Sequence, residues 1–400
     1  MGLTMKERRP VYREFGLKYC KAKDKKSKMI ILDHFVETTG LHRNYAGYLL
    51  RKHNKITNIN HKVRVKGDIR KELHKHGRCR RYDEHVFKGL LRIWRIQDFI
   101  CGKRLAPIMN ETLDNLKKHN RLNLTKDVES KLRQISASSI DRLLVKERKR
   151  LELKGRSGTK PGTLLKHLIP IRTFADWNEN MPGFLEIDLV GHDGGNSYGD
   201  FAQTLDMTDV CTGWTETAAI PTKASVWVLK AIVNIKKKLP FPLLGLDSDS
   251  GSEFINRPML NYCSQEGITF TRGRSTRSND NCYVEQKNYS IVRKTVGYNR
   301  YDTIREVEIL NDLYGYLRLY TNHFQPVMKL IEKKRIGSKV YKKYDKPKTP
   351  YQRIVESSKV DIKSKLKLQK IHNDLDLYDL KKNITFYQKE LFIIQKKKHF

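Results

Sequence analysis

The chain has 400 residues, and its 80 Lys and Arg outnumber 44 Asp and Glu to give a formal net charge of +36. Self-repulsion on that scale is tolerable where the working partner is a polyanion, and neutralised phosphates release counterions that drive binding, so the charge points to nucleic acid. No apolar run approaches the ~20 residues of a membrane span, and the stretch MGLTMKERRP lacks a secretory apolar segment, so the expectation is a cytoplasmic, nucleoid-associated protein with no membrane partner and no small-molecule substrate.

The first ~160 residues are rich in Lys and Arg and read as helical. A helix-turn-helix candidate runs from about Lys28 to His53, with Ile31 and Phe35 four apart, Tyr45 and Leu49 four apart, and Thr38-Thr39-Gly40 between them. A second candidate runs from Thr125 to about Leu151. Val128, Leu132 and Ile135 line one helix face, Ser136-Ala137-Ser138 makes the turn, and Ile140, Leu143 and Leu144 face inward on the next helix. Ser138 is expected to cap that helix with Asp141 as its reciprocal partner, while Arg142, Lys146, Arg148, Lys149 and Arg150 project outward. In such a motif the second helix enters the major groove and basic residues hold phosphates. Two ordinary helical hairpins with solvated charges are the alternative. The six cysteines are scattered with no CxxC pair, which argues against a disulfide framework or a compact zinc site.

Lys154 to Thr163, with its Gly, Pro and Lys, reads as a basic linker. Beyond it strands begin, at Phe184–Val190, Asp200–Asp209 and Trp214–Ile220. A helix follows at Ala224–Leu239, then a short strand at Leu243–Asp249, a helix at Pro258–Gln265, a strand at Ile268–Thr271 and a helix at Asn281–Val296. That order suits an RNase H-like α/β core, a mixed five-stranded sheet with flanking helices. A helix at Ile304–Tyr320 and a basic loop around Lys346–Pro350 lead to a heptad-like stripe, Leu377, Leu380, Ile384, Tyr387, Leu391 and Ile394, which suits a helix packed on its own chain or, less often, self-association. The organisation expected is thus an all-α helix-turn-helix domain at 1–75, a second at 76–153, a linker at 154–180, the α/β core at 181–325 and a basic, mainly helical region at 326–400.

Three acids stand out. Asp188 sits in an otherwise apolar strand, where a lone carboxylate is costly unless paired or metal-bound. Asp249 ends an isolated strand before Ser250-Gly251, the strand-end position where α/β sheets place ligands. Glu285 lies on a later helix, 36 positions beyond Asp249. Asp247 shares a strand face with Asp249 and competes with it. Glu186, Asp193 and Asp200 are nearby acids that suit turns or the surface.

The blocks Leu185-Glu186-Ile187-Asp188, Asp247-Ser248-Asp249-Ser250-Gly251-Ser252-Glu253-Phe254 and Asn279-Asp280-Asn281-Cys282-Tyr283-Val284-Glu285-Gln286-Lys287-Asn288 resemble the catalytic blocks of the retroviral-integrase-type DDE transposases. The likeness covers roughly Gly183 to Asn299, and the paired helix-turn-helix arm resembles insertion-sequence transposases. The resemblance implies an RNase H-like core and two Mg2+ or Mn2+ ions held by Asp188, Asp249 and Glu285. It also implies a homo-oligomer on double-stranded DNA, cleaving transposon ends and transferring them to a target. DNA contacts are expected from Arg43, Arg51, Arg142, Lys146, Arg274, Lys287 and Arg293, with Arg272, Arg274 and Arg277 in a basic loop before Glu285. The alternatives are an inactive domesticated DNA-binding protein and an RNase H-type nuclease.

Overall fold

A computed structural model describes residues 5–60, 63–66, 81–150, 181–273 and 282–398. They fall into two compact units, Met1–Arg81 and Tyr82–Phe400. The expected linker at 154–163 and the basic residues Arg274 and Arg277 lie outside the described residues.

The first unit holds helices α1 (Met5–Lys21), α2 (Lys25–Thr39) and α3 (Arg43–Lys52), then an antiparallel pair, β1 (Ile56–Asn60) and β2 (Val63–Lys66). Asp24 caps α2 by accepting the Ser27 N–H at 2.7 Å. Gly40 ends it at φ 66°, a left-handed conformation that costs glycine no Cβ clash. The break therefore falls where the sequence puts it. The inner face of α3 does not. Ala46, Gly47 and Leu50 are buried there, whereas Tyr45 is 52% exposed. Small residues let α3 lie close to α2, and a tyrosine at that contact would hold the helices apart.

The second unit begins with α4 (Glu84–Ile96), α5 (Gly102–Lys118), α6 (Lys126–Arg133) and α7 (Ala137–Lys149). Val128, Leu132, Ile135, Ile140 and Leu144 are buried, as their spacing predicts. Ser136 rather than Ser138 caps α7, accepting the Ser139 N–H at 3.3 Å. Asp141 is drawn elsewhere: it accepts the Gly102 N–H at 2.7 Å and pairs with Arg148 at 2.8 Å. Arg148 accordingly does not project outward but lies over the Trp94 ring at 5.7 Å. The apolar residues of α4 to α7 join one core with those of the C-terminal helices.

The central sheet contains β3 (Phe184–Gly191), β4 (Gln203–Asp209), β5 (Thr215–Ile220), β6 (Gly245–Ser248) and β7 (Thr269–Arg272), ordered β5-β4-β3-β6-β7. β3, β4 and β5 run antiparallel, and β6 and β7 add in parallel. This is the mixed five-stranded sheet expected, with strand ends within a few residues of the predicted ones. Side chains alternate across it. Leu185, Ile187, Leu205, Met207, Leu246 and Phe270 join a core with α8 (Ser225–Lys236) and α9 (Arg257–Gln265). Glu186, Asp188, Asp206 and Asp247 take the other face, toward α10 (Cys282–Lys287).

α10 runs into a π-helical segment, Asn288–Arg293, then α11 (Lys294–Val296) and α12 (Ile304–Phe324). α12 covers the β5 edge by presenting two asparagines to its backbone. Asn311 meets both the N–H and C=O of Ala219 at 2.9 Å, and Asn322 those of Thr215 at 2.9 and 2.8 Å. An open sheet edge is thereby closed without another strand.

Two strands absent from the expected order follow, β8 (Leu330–Ile336) and β9 (Lys339–Tyr344), an antiparallel hairpin. Both of its faces are largely exposed, so no buried face imposes the alternation by which strands are recognised. Helices α13 (Pro350–Glu356), α14 (Ile362–Asp374) and α15 (Leu377–Lys398) complete the chain. Leu377, Leu380, Ile384 and Leu391 of the predicted stripe are buried in the chain's own core, and Gln395 donates to Glu306 of α12 at 2.8 Å. Among the described residues no helix is long and apolar enough to cross a membrane.

Candidate active site

Asp188 lies in the middle of β3, opposite Asp206 on β4. Its two carboxylate oxygens have different partners. Oδ1 accepts the Leu189 N–H at 2.8 Å, and Oδ2 accepts the Asn288 side-chain amide at 2.6 Å. Burial first, and then the charges of Asp249 and Glu285, push the Asp188 carboxyl up to about 7. The two other acids of the sequence motif thus both act on Asp188.

Asp249 stands just beyond the end of β6. It accepts the Gly251 N–H at 2.9 Å, and its carboxyl is raised by burial and by the nearby charge of Glu253. Gly251 leaves these two carboxylates close to the turn: a Cβ there would lie 2.9 Å from Asp249 Oδ1 and 2.6 Å from Glu253 Cδ, and both side chains would have to shift. Glu285 sits on α10, on an exposed side, and burial of its carboxyl raises it from its ordinary value.

The competing acids have other duties. Glu186 is fully buried, and its Oε2 accepts the N–H groups of Tyr283 and Val284 at 2.8 and 2.9 Å. It is neither a turn nor a surface acid, as the sequence suggested, but the acceptor for the first turn of the helix that carries Glu285. Burial raises its carboxyl well above the ordinary range, and the charges of Asp247 and Glu285 add to that. Asp247 pairs in register with Glu186 and is buried, with the Thr271 hydroxyl donating to its Oδ1. Asp193 accepts the Gly195 N–H at 3.1 Å within a turn. Asp200 uses its backbone carbonyl to accept from Arg300 at 3.1 Å.

Two residues that sequence reasoning missed complete the arrangement. Asp206 is buried on the same face as Asp188. Lys287 of α10 faces it: burial raises the acid and lowers the lysine, and each charge partly offsets the effect on the other. Asn288 lies three positions after Glu285, at helical spacing, and is the amide that holds Asp188. The π-helical segment begins at this residue. Such widened turns recur at functional sites because they re-aim one side chain without ending the helix. The strand register and the i, i+3 spacing were the signals that could have found both.

The expected DNA contacts separate into two groups. Arg51, Arg142 and Lys146 are exposed. Arg43 is exposed and pairs with Asp33. Lys287 and Arg293 are turned inward, contrary to the expectation of phosphate contacts. The Lys287 ammonium donates to the Gly213 carbonyl at 3.4 Å, and Arg293 donates to the Gly191 carbonyl at 2.8 Å and lies over Tyr298. Arg272, placed in a loop by the sequence, closes β7 and is buried.

Among the described residues no three His, Cys, Asp or Glu side chains form a ready-made site for one metal ion. The donor set nevertheless fits hard divalent cations, which take oxygen ligands. Glu186 Oε1, Asp206 Oδ2 and Asn288 Oδ1 are buried oxygens without a hydrogen-bond partner. Asp188 feels two neighbouring carboxylates whose repulsion a cation would relieve.

The protein of Sinorhizobium fredii (strain NBRC 101917 / NGR234) described as uncharacterized protein y4rM is 38% identical over 328 residues, covering 82% of this chain and 89% of that protein. No protein-family model matches the chain. Of solved structures, the catalytic core domain of BIV integrase matches at 19% identity and a TM-score of 0.30, over 44% of this chain and 95% of its own. The HTLV-2 integrase catalytic core domain in complex with magnesium matches at 14% and 0.28, over 37% and 91%. A simian T-cell lymphotropic virus intasome in complex with PP2A regulatory subunit B56 gamma matches at 12% and 0.31, over 53% and 70%. Those TM-scores are low, so the functional case rests on the side chains.

Proposed function

We propose that this chain, which belongs to the same family as the Sinorhizobium fredii protein y4rM, is a metal-dependent polynucleotidyl transferase, a transposase that cuts the DNA ends of an insertion sequence and joins them to a target. The observation that carries this reading is geometric: Asn288, three positions after Glu285, donates to Asp188 of β3 at 2.6 Å, and Asp249 follows directly on β6, which pairs with β3.

Phosphodiester transfer needs charge stabilisation and in-line geometry more than covalent help from protein. Bound Mg2+ or Mn2+, two ions per site, would activate the attacking water or 3′-hydroxyl and stabilise the leaving oxygen. Asp188, Asp249 and Glu285 would hold the ions. No three acids need surround one ion, because magnesium keeps several waters. Asn288 orients Asp188 through one oxygen. Glu186 fixes the start of α10 and hence the place of Glu285. Lys287 offsets the charge of Asp206 beside the site. Arg51, Arg142 and Lys146 would hold phosphates of double-stranded DNA, and the protein would act as a homo-oligomer on paired ends in the nucleoid-associated cytoplasm.

The test combines the purified chain, supercoiled target, magnesium and pre-cut oligonucleotides taken from the DNA that brackets the reading frame. Joined product is expected. Asp188→Asn, Asp249→Asn and Glu285→Gln should each lower it about 10^3-fold or more, the worth of several kcal/mol of transition-state charge stabilisation, while end binding persists. Near-normal joining by any of the three would remove that residue from the site. Hydrolysis of an RNA–DNA hybrid in place of joining would make the protein a nuclease, and binding without any product a DNA-binding protein alone.

A further inference from the structure

The β8–β9 hairpin has no part in the site described above, and its composition is unusual for a strand pair. It carries Lys333, Lys334, Arg335, Lys339, Lys342 and Lys343 against a single acid, Glu332. Every residue from Lys333 to Tyr344 is exposed. Lys333 stands directly opposite Lys342, an arrangement of like charges that destabilises a strand pair. A two-stranded ribbon with no buried face is already marginal in water. The hairpin therefore gains most from a partner that brings negative charge to it.

The register says how that charge must be arranged. Lys333, Arg335 and Lys342 share one face of the ribbon, and Lys334, Lys339 and Lys343 share the other. A flat anionic surface such as a membrane neutralises one face. The walls of a duplex groove present phosphates to both, and the major groove, ~12 Å wide, admits a two-stranded ribbon. Near the turn, Ile336 and Val340 are 67% and 47% exposed, apolar groups of the kind that touch base edges rather than phosphates.

The base of the ribbon is tied to the carboxylate site. Lys329 and Asp345 exchange hydrogen bonds across it, at 2.7 and 2.9 Å, and Asp345 pairs with Arg353 at 2.7 Å. The Lys329 ammonium donates to the Cys211 carbonyl at 2.6 Å, in the turn between β4 and β5. Two residues along that turn, the Gly213 carbonyl accepts from Lys287, which is two positions after Glu285. One turn thus holds both the ribbon and the helix of the third acid.

We propose that the β8–β9 ribbon is a duplex-binding arm that enters the major groove of double-stranded DNA and holds it beside the carboxylates. The inference rests on the transposase reading for its purpose, but its test needs no catalysis. Binding of the full chain to a short random-sequence duplex is followed by fluorescence anisotropy over a range of salt concentrations. The combined variant Lys333→Gln, Arg335→Gln and Lys342→Gln should lose about 10-fold in affinity, and its plot of log K against log salt should be shallower by about 2 to 3, because each phosphate contact contributes ~0.9 to that slope. Lys333→Arg with Lys342→Arg should bind like the unaltered chain, and circular dichroism should show all variants folded. An unchanged slope and affinity overturns the arm. So does a loss that appears on phosphatidylserine vesicles and not on duplex. If the unaltered chain binds duplex through the arm but joins no ends, the transposase reading fails and the arm stands. If it binds no duplex at all, both fall.

Discussion

On one face of the central sheet Leu185, Ile187, Leu205 and Met207 are buried against α8 and α9; on the other, the residues between them, Glu186, Asp188 and Asp206, lie toward α10. The strands are the same and the backbone hydrogen bonds are shared. The apolar face stabilises the fold, at about 1.5–3 kcal/mol for each large side chain removed from water. The acid face opposes it, since burial raises the carboxyls of Glu186, Asp188 and Asp206 together. Clustered, perturbed acids in a sheet that otherwise packs well support the chemical role proposed for that face. One face supplies the rigidity on which the other depends.

The largest effect is expected on the apolar side. Leu205→Ala should cost about 2–5 kcal/mol, through lost burial and the cavity left behind. Urea unfolding measures it, and joining activity per folded molecule should hold. A loss below about 1 kcal/mol would show that this face is not the support described.

A smaller effect is expected at Glu186. Glu186→Leu removes the acceptor for two amides at the start of α10, a loss of about 1–2 kcal/mol on the scale of helix caps, and joining should fall with it. Glu186→Gln keeps a carbonyl acceptor and should stay close to the unaltered protein in both respects. Equal behaviour of the two variants would mean that the cap does not matter.

The last effect is one of pH. In the presence of a chelator, the folded Asp188 carboxyl titrates at about 7 and the unfolded one near its ordinary 3.8. Below 3.8 both states are protonated and the group has no effect. Between the two values the folded chain keeps a proton that the unfolded chain releases, so stability falls as pH rises, and the loss is complete above about 7. Asp188→Asn removes this penalty. Its Tm should match the unaltered chain near pH ~3.5 and exceed it by roughly 5 °C or more near pH ~8. A variant equally stable at both ends would contradict the strained carboxyl.

Local pattern determined a good deal of this protein by itself. Alternation through Leu185 and Ile187, the glycine at position 40, and the helical spacing of Val128 and Leu132 all give elements where the chain forms them, because propensity and periodicity act over a few residues. The three acids were legible as a motif. Their surroundings were not. Asp247 and Asp249 were expected to share a strand face, but Asp249 lies beyond the end of β6, and the Thr271 hydroxyl on the neighbouring strand gives Asp247 a separate duty. Glu186 looked like an incidental acid until α10, nearly a hundred residues later, brought two amides to it. Lys287 read as a phosphate contact until the register placed Asp206 under it, and β8 and β9 carried no strand signal because neither face is buried. Each of these was decided by which distant element lies over which face. A charged side chain takes its role from the partner that reaches it through space, and that partner is chosen by packing rather than by the neighbours in the chain.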